Sequence, residues 1–355
     1  MLQYSGKRRQ TTSFTIGGVG IGSDYPVSIQ SMTNTDTRDA QATLTQIGQL
    51  AEAGCQMVRV AVPDEEAASA LKIICAESPV PVIADIHFNH RLALMAMDNG
   101  ISSLRINPGN ISSEEKVREV VSQAKAMQIP IRIGVNAGSL EKDLLAKYQH
   151  PTAEALVESA LRHVRILEDL NFDQIKISLK ASDVPLMIAA YRLMAEQVPY
   201  PLHLGVTEAG NAKHGIVKSA IGIGTLLAEG IGDTIRVSLT GNPLQEIPVA
   251  KQILRSLDLY PKGVEIISCP TCGRTQIALE QLVDAVDQMV SKVDKPLKLA
   301  VMGCVVNGPG EAREADLGIA GGKGEGLIFR KGEIIKKVPE EQLLSAFQEE
   351  LDKLL

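Results

Sequence analysis

The chain has 355 residues, 36 basic against 42 acidic, for a net charge of −6. That balance argues against a dedicated nucleic-acid binder. No segment approaches the roughly 18 continuous apolar residues of a membrane span, and the N-terminus "MLQYSGKRRQTTSFTIGG" carries charge but none of the apolar stretch of an export signal.

Hydrophobic residues make up 45% and aromatics 3%, with no Trp, so a large core has to be aliphatic. Five cysteines without an export signal point to the reducing cytoplasm, where cysteines serve metal binding or catalysis more often than disulfides.

From residue 25 to 240 one pattern recurs: a short β-branched run ends in polar residues and gives way to a helical stretch. The runs are "PVSIQSM", "CQMVRVAV", "PVIADIHF", "SLRINP", "PIRIGVNA", "QIKISLKAS", "PLHLGVTEAG" and "DTIRVSL". Stretches such as "DAQATLTQIGQLAEAG" and "TAEALVESALRHVRILEDL" repeat their apolar residues at helical spacing. Such alternation implies parallel βαβ units, and eight strands close a (β/α)8 TIM barrel; a doubly wound open sheet is the rival. "GGVGIG" does not match the dinucleotide-binding spacing and precedes rather than follows a good strand.

Past Leu257 to Gly263 the pattern changes. Two strand-like runs end in cysteines, with the helix "TQIALEQLVDAVDQMVSKV" between them. Then come a glycine-rich "LGIAGGKGEG", read as a turn or rim, a hairpin "GLIFRKGEIIKKV", and a charged final helix. The glycine-rich stretch falls short of P-loop spacing. The expected domains are a barrel over residues 1–258 and a small α+β domain over 259–355.

The second domain holds C-x2-C-x31-C-x6-E, made by Cys269, Cys272, Cys304 and Glu311. Zinc takes four N or S ligands, but all six histidines lie at or before residue 214, which excludes a local Cys3His site. An iron–sulfur cubane tolerates the shortage better: thiolates hold three irons, and the fourth takes a weaker ligand. Glu311 is the nearest candidate, an exchangeable carboxylate on the reactive corner; the alternative is a solvated surface glutamate. Cys55 and Cys75 read as small buried hydrophobes.

In "MVRVAV", "SLRINP", "IRIGVN" and "TIRVSL" an arginine stands between apolar residues. If those flanks pack under the helices, Arg59, Arg105, Arg132 and Arg236 point into the barrel near the C-terminal strand ends, where barrel active sites form. Lys176 and Lys180 follow the same logic, and Asn107, Asn136 and Ser238 add hydrogen-bonding groups at that rim. Unpaired like charges are costly when buried, and Asp85 and Glu208 are the obvious local carboxylates, too few for all of them. A diphosphate or similar polyanion fits the planar fork of arginine. Asp85, His87 and Glu208 are candidate proton donors, proton acceptors or hydroxyl-binding groups.

The motifs "QSMTNT", "ADIHFNHRLAL", "LRINPGNI", "IRIGVNAGSLEKDL", "VTEAG", "CPTCGR" and "GCVVNGPGEA" together resemble the 4-hydroxy-3-methylbut-2-enyl diphosphate synthase family of the non-mevalonate isoprenoid pathway, in its short two-domain bacterial form. The resemblance implies a TIM barrel followed by a [4Fe-4S] domain similar to the cluster module of sulfite and nitrite reductases. It implies Cys269, Cys272, Cys304 and Glu311 as cluster ligands, and 2-C-methyl-D-erythritol 2,4-cyclodiphosphate as substrate. Arg59, Arg105, Arg132, Lys180, Arg236 and Ser238 match diphosphate-holding positions, and Asp85, His87, Asn107 and Asn136 line the pocket. Glu208 matches the residue proposed to protonate the leaving oxygen or to assist that step. Flavodoxin or ferredoxin is the implied electron donor, and the implied assembly is a cytoplasmic homodimer in which one chain's cluster domain caps the other's barrel. The rivals are a cluster-independent barrel lyase or synthase with a structural metal module, and a non-enzymatic iron–sulfur carrier.

Overall fold

The structure, a computed structural model, describes residues 8–86, 89–106, 114–260, 262–291, 293–304 and 312–355. It divides into two compact units, Met1–Tyr260 and Pro261–Leu355.

The first unit opens with a hairpin of β1 (Phe14–Ile16) and β2 (Val19–Ile21). Then come β3 (Ser28–Met32), α1 (Ala40–Glu52), β4 (Met57–Ala61), α2 (Glu65–Glu77), β5 (Val82–Ile86), α3 (His90–Asp98), β6 (Ser103–Ile106), α4 (Glu114–Met127) and β7 (Ile131–Asn136). After β7 the chain forms α5 (Lys142–Tyr148), α6 (Ala153–Asp169), β8 (Ile175–Lys180), α7 (Val184–Gln197), β9 (His203–Leu204), α8 (Ala212–Ala228), β10 (Thr234–Ile235) and α9 (Glu246–Arg255).

The strands β3 to β10 are the eight expected runs, all parallel, in the order β8-β7-β6-β5-β4-β3-β10-β9. A parallel bridge between Ile177 and Leu202 brings the two ends together. The fold is the TIM barrel the alternation predicted. Its last two strands pair over only two residues each.

Local chemistry sets the helix starts. The side chains of Asp39, Asp64, Asn89, Thr152, Asp183 and Asn211 each accept a hydrogen bond from an amide in the first turn of the helix that follows. Ile29, Val58, Val60, Ala84, Ile86, Leu104, Ile106, Ile131, Ile133, Val135, Ile175, Ile177 and Leu179 face outward into one aliphatic core beneath the helices. Side chains alternate along a strand, so their neighbours face the lumen.

The hairpin was not foreseen. Gly17 and Gly18 both have positive φ, the backbone a two-residue turn of this hand requires. The turn lets Ile16 and Ile21 pack on Met57 and Ile83, the lumen-facing residues at the starts of β4 and β5. The hairpin therefore plugs the N-terminal end of the barrel.

The second unit is a five-stranded sheet of β11 (Val264–Ser268), β12 (Leu297–Met302), β13 (Leu317–Gly321), β14 (Glu325–Arg330) and β15 (Glu333–Pro339), in that order. The first three strands run parallel and the last three antiparallel. Helices α10 (Leu279–Val290) and α11 (Leu343–Asp352) cover one face through Val286, Val290, Leu343, Phe347 and Leu351.

"LGIAG", read as part of a glycine-rich turn, is instead the central strand β13. Its glycines make room for packing: a Cβ on Gly318 would lie 2.2 Å from the Phe329 ring, and one on Gly321 would lie 2.7 Å from Ile277. The hairpin after it forms as expected, turning at Lys331 and Gly332, both with positive φ.

Candidate active site

The lumen of the barrel is polar for most of its depth. Arg59, Asp85, Arg105, Arg132, Lys176, Ser178, Lys180, His203 and Thr234 are all buried. Register sets Asp85 beside Arg105, Arg105 beside Arg132, and Arg132 beside Lys176 across four successive strands. Arg236, one residue beyond β10, has its side chain 14% exposed, and Asn136 and Ser238 are half-buried at the same rim. His87 and Asn107 lie outside the described residues.

Two carboxylates meet this charge. Asp85 bridges two arginines, with Arg105 Nη1 donating to Oδ1 at 2.9 Å and Arg59 Nε lying 3.5 Å from Oδ2. The second is Glu246, which sequence reasoning passed over. It is buried at the start of α9, accepts from Ser31 Oγ at 2.9 Å and from the Leu239 amide at 3.2 Å, and lies 3.4 Å from Arg236 Nε. The thioether of Met32 adds an acceptor for Arg59, at 3.0 Å from Nη2, and for Arg236, at 3.5 Å. The only sequence signal for Glu246 was its first-turn place in a helix that returns under β3.

Among the described residues, six cationic side chains thus face two buried carboxylates at the mouth, and a third, Asp233, already paired with Arg8, acts on Lys176. Burial pulls Arg59 down to about 10, against the pull of Asp85 and with the help of Arg236 and Arg105. Burial drives Lys180 well below its ordinary value, with Arg59 and Arg132 adding to the effect. It does the same to Lys176, helped by Arg132 and opposed by Asp233. Among the described residues, Arg132 Nε and Nη1, Lys176 Nζ and His203 Nε2 are buried without a hydrogen-bond partner. A lumen built this way is incomplete electrostatically, and an anion at its mouth would complete it.

Glu208, in the loop between β9 and α8, is exposed and holds a left-handed φ of 51°. A non-glycine residue in that region is strained, and such strain clusters at functional sites.

In the second unit two of the three cysteines follow neighbouring strands, and the third lies in the loop after the first of them. Cys269 follows β11 directly and Cys304 follows β12 by two residues, and these strands are parallel neighbours with Ser268 opposite Val301. The Gly303 amide donates to Cys269 Sγ at 3.1 Å, and the Gln276 amide donates to the Gly303 carbonyl at 3.1 Å. The loop between Cys272 and Gln276 closes on itself, the Thr275 amide donating to the Cys272 carbonyl at 2.9 Å. Cys272 is exposed, and its thiol is lowered first by a backbone hydrogen bond at Arg274 and then by the Arg274 side chain.

Among the described residues no three Cys, His, Asp or Glu side chains close to the spacing of a single ion. A cubane spreads its ligands over several irons, so thiols after two neighbouring strands, one of them already accepting an N–H, with a third in the adjoining loop, suit it better than a single ion. Glu311 lies outside the described residues.

The GcpE TIM-barrel domain family matches residues 11–251, and the GcpE protein C-terminal domain family matches residues 265–353. A Geobacter sulfurreducens protein named 4-hydroxy-3-methylbut-2-en-1-yl diphosphate synthase (flavodoxin) is 60% identical over 98% of this chain and 99% of its own. A Clostridium perfringens protein of the same name is 61% identical over the same shares. The barrel is also similar to Yersinia pestis dihydropteroate synthase, with a TM-score of 0.50 and 8% identity over 70% of this chain and 99% of that one, which is a likeness of fold alone. With both of its units matched and its length shared almost end to end, the chain belongs to the GcpE family, that of the 4-hydroxy-3-methylbut-2-en-1-yl diphosphate synthases.

Proposed function

We propose that this chain reductively opens 2-C-methyl-D-erythritol 2,4-cyclodiphosphate and removes one hydroxyl to give 4-hydroxy-3-methylbut-2-enyl diphosphate. The observation that carries the reading is the barrel mouth, where cations outnumber the carboxylates that neutralise them. Arg59, Arg105, Arg132, Lys180 and Arg236 hold the diphosphate, and Ser238, Asn136, Asn107, Asp85 and His87 complete the pocket. Charge-assisted hydrogen bonds from arginine to phosphate orient the ring as well as bind it. Because the donors are buried, water is excluded and their field acts undiluted on the bond that breaks. Glu208, at the rim, delivers the proton to the departing oxygen.

Cys269, Cys272 and Cys304 would hold a [4Fe-4S] cluster, with Glu311 as its fourth and exchangeable ligand; when bound it supplies electrons one at a time. The donor is flavodoxin, after the relatives' name. The proposed assembly is a homodimer in which the second domain of one chain caps its partner's barrel, with the cytoplasm as its compartment. Among the described residues no helix is long and apolar enough to cross a membrane.

Turnover of the cyclic diphosphate by anaerobically purified protein with a reduced flavodoxin tests the proposal. Arg105→Glu is expected to lower kcat/KM at least about 30-fold, the cost of leaving a buried pair or bound anion uncompensated. Unchanged turnover would remove the anion clamp from the mechanism. Glu311→Ala is expected to keep part of the cluster's visible absorbance and lose turnover; full activity would take Glu311 out of it.

A further inference from the structure

Gly134 and Gly205 sit where a barrel strand should carry a side chain. Gly134 is the second lumen-side position of β7, next above Arg132, and its backbone pairs with Ser178 of β8. Gly205 directly follows β9 on the side of His203. Neither has a positive φ, so neither is glycine for the sake of its backbone. A glycine in a strand costs packing and entropy, and without a conformational need its place marks a close approach.

The approaching groups are the two cations from the preceding strands. A Cβ on Gly134 would lie 2.6 Å from Arg105 Nε and 3.1 Å from its Nη2. A Cβ on Gly205 would lie 3.0 Å from Lys180 Nζ and 2.7 Å from the Arg236 carbonyl. Arg105 therefore crosses from β6 to lie over Gly134. There its Nη2 donates to the Gly134 carbonyl at 3.3 Å while its Nη1 holds Asp85. Lys180 crosses from β8 over Gly205 in the same sense.

We propose that Gly134 and Gly205 are positioning residues for the anion site: two side-chain-free steps in the barrel wall that let Arg105 and Lys180 lie flat across the neighbouring strand and so fix where the diphosphate is held. This rests on the reading of the mouth as a diphosphate site and adds what sets its geometry. The two positions differ in kind. A methyl at Gly134 meets only the end of a flexible side chain, so the fold absorbs it and the guanidinium moves. A methyl at Gly205 also meets backbone, so it costs stability as well.

The experiment is a double-mutant cycle on the full chain, reading the affinity for inorganic diphosphate by calorimetry and the Tm of each variant. Gly134→Ala is expected to weaken binding at least tenfold with an unchanged Tm, Arg105→Met to weaken it at least as far, and the double variant to bind no worse than Arg105→Met alone. Gly205→Ala is expected to weaken binding and lower the Tm. If wild type and Arg105→Met bind diphosphate alike, or wild type does not bind it, the anion reading of the mouth fails and the inference with it. If Arg105→Met weakens binding while Gly134→Ala leaves it intact, or the two losses add in the double variant, the glycine does not act through Arg105 and the inference alone is overturned.

Discussion

Lys176 shows most plainly what the lumen costs. It is 1% exposed, its ammonium has no hydrogen-bond partner among the described residues, and Arg132 stands beside it in register, with Asp233 as the one carboxylate among the causes acting on it. Its pKa falls on folding, so below its ordinary value of 10.5 the unfolded chain binds a proton that the folded chain resists, and stability rises as pH climbs toward that value. Lys176→Met, which keeps the stem and removes the charge, should raise unfolding stability in urea by about 1–4 kcal/mol at neutral pH. The gain should shrink as pH approaches 10.5. A destabilised variant would mean that the ammonium has a partner after all, such as a bound anion.

The inward arginines were legible because the strand alternation is strict and their flanks are Val, Ile or Leu. Glu246 was not, because a helix residue ten positions past Arg236 reaches it only through the return of α9 beneath β3. Met32 as a shared arginine acceptor had no sequence signal either, since a methionine in an apolar run reads as core.

At the scale of elements, the barrel strands and helices followed from periodicity and capping, while the two pieces built on glycine did not. The β1–β2 hairpin looked like a failed nucleotide motif, yet Ile16 and Ile21 are fully buried on Met57 and Ile83. Ile21→Ala should cost about 2–5 kcal/mol in denaturant unfolding of the first unit. A cost below about 0.5 kcal/mol, the range of surface substitutions, would deny the hairpin its role as plug. In the second unit β13 hid because glycine and alanine suggest a loop, whereas each glycine there accommodates a neighbouring Phe or Ile side chain. Gly318→Val should collide with Phe329 and destabilise the sheet that carries Cys269 and Cys304, by about 1–3 kcal/mol in unfolding of that unit. A neutral effect would mean the ring has somewhere else to go.

For the whole molecule, the proposed chemistry joins two parts that each make little sense alone. One is a barrel whose mouth is short of anions; the other is a sheet whose adjacent strand ends carry Cys269 and Cys304, with Cys272 in the loop after the first. The charge of the mouth was legible because barrel strands alternate regularly. Which cation crosses which strand was not, because that depends on the shape of the closed wall. The most direct measurement is a single turnover of anaerobically purified protein, reduced and mixed with 2-C-methyl-D-erythritol 2,4-cyclodiphosphate, with visible absorbance and product followed together. The account predicts a brown protein that forms 4-hydroxy-3-methylbut-2-enyl diphosphate at the cost of two electrons per molecule, and loses both colour and activity in air. A colourless protein, zinc-loaded or metal-free, that converts the same substrate at an equal rate would contradict it.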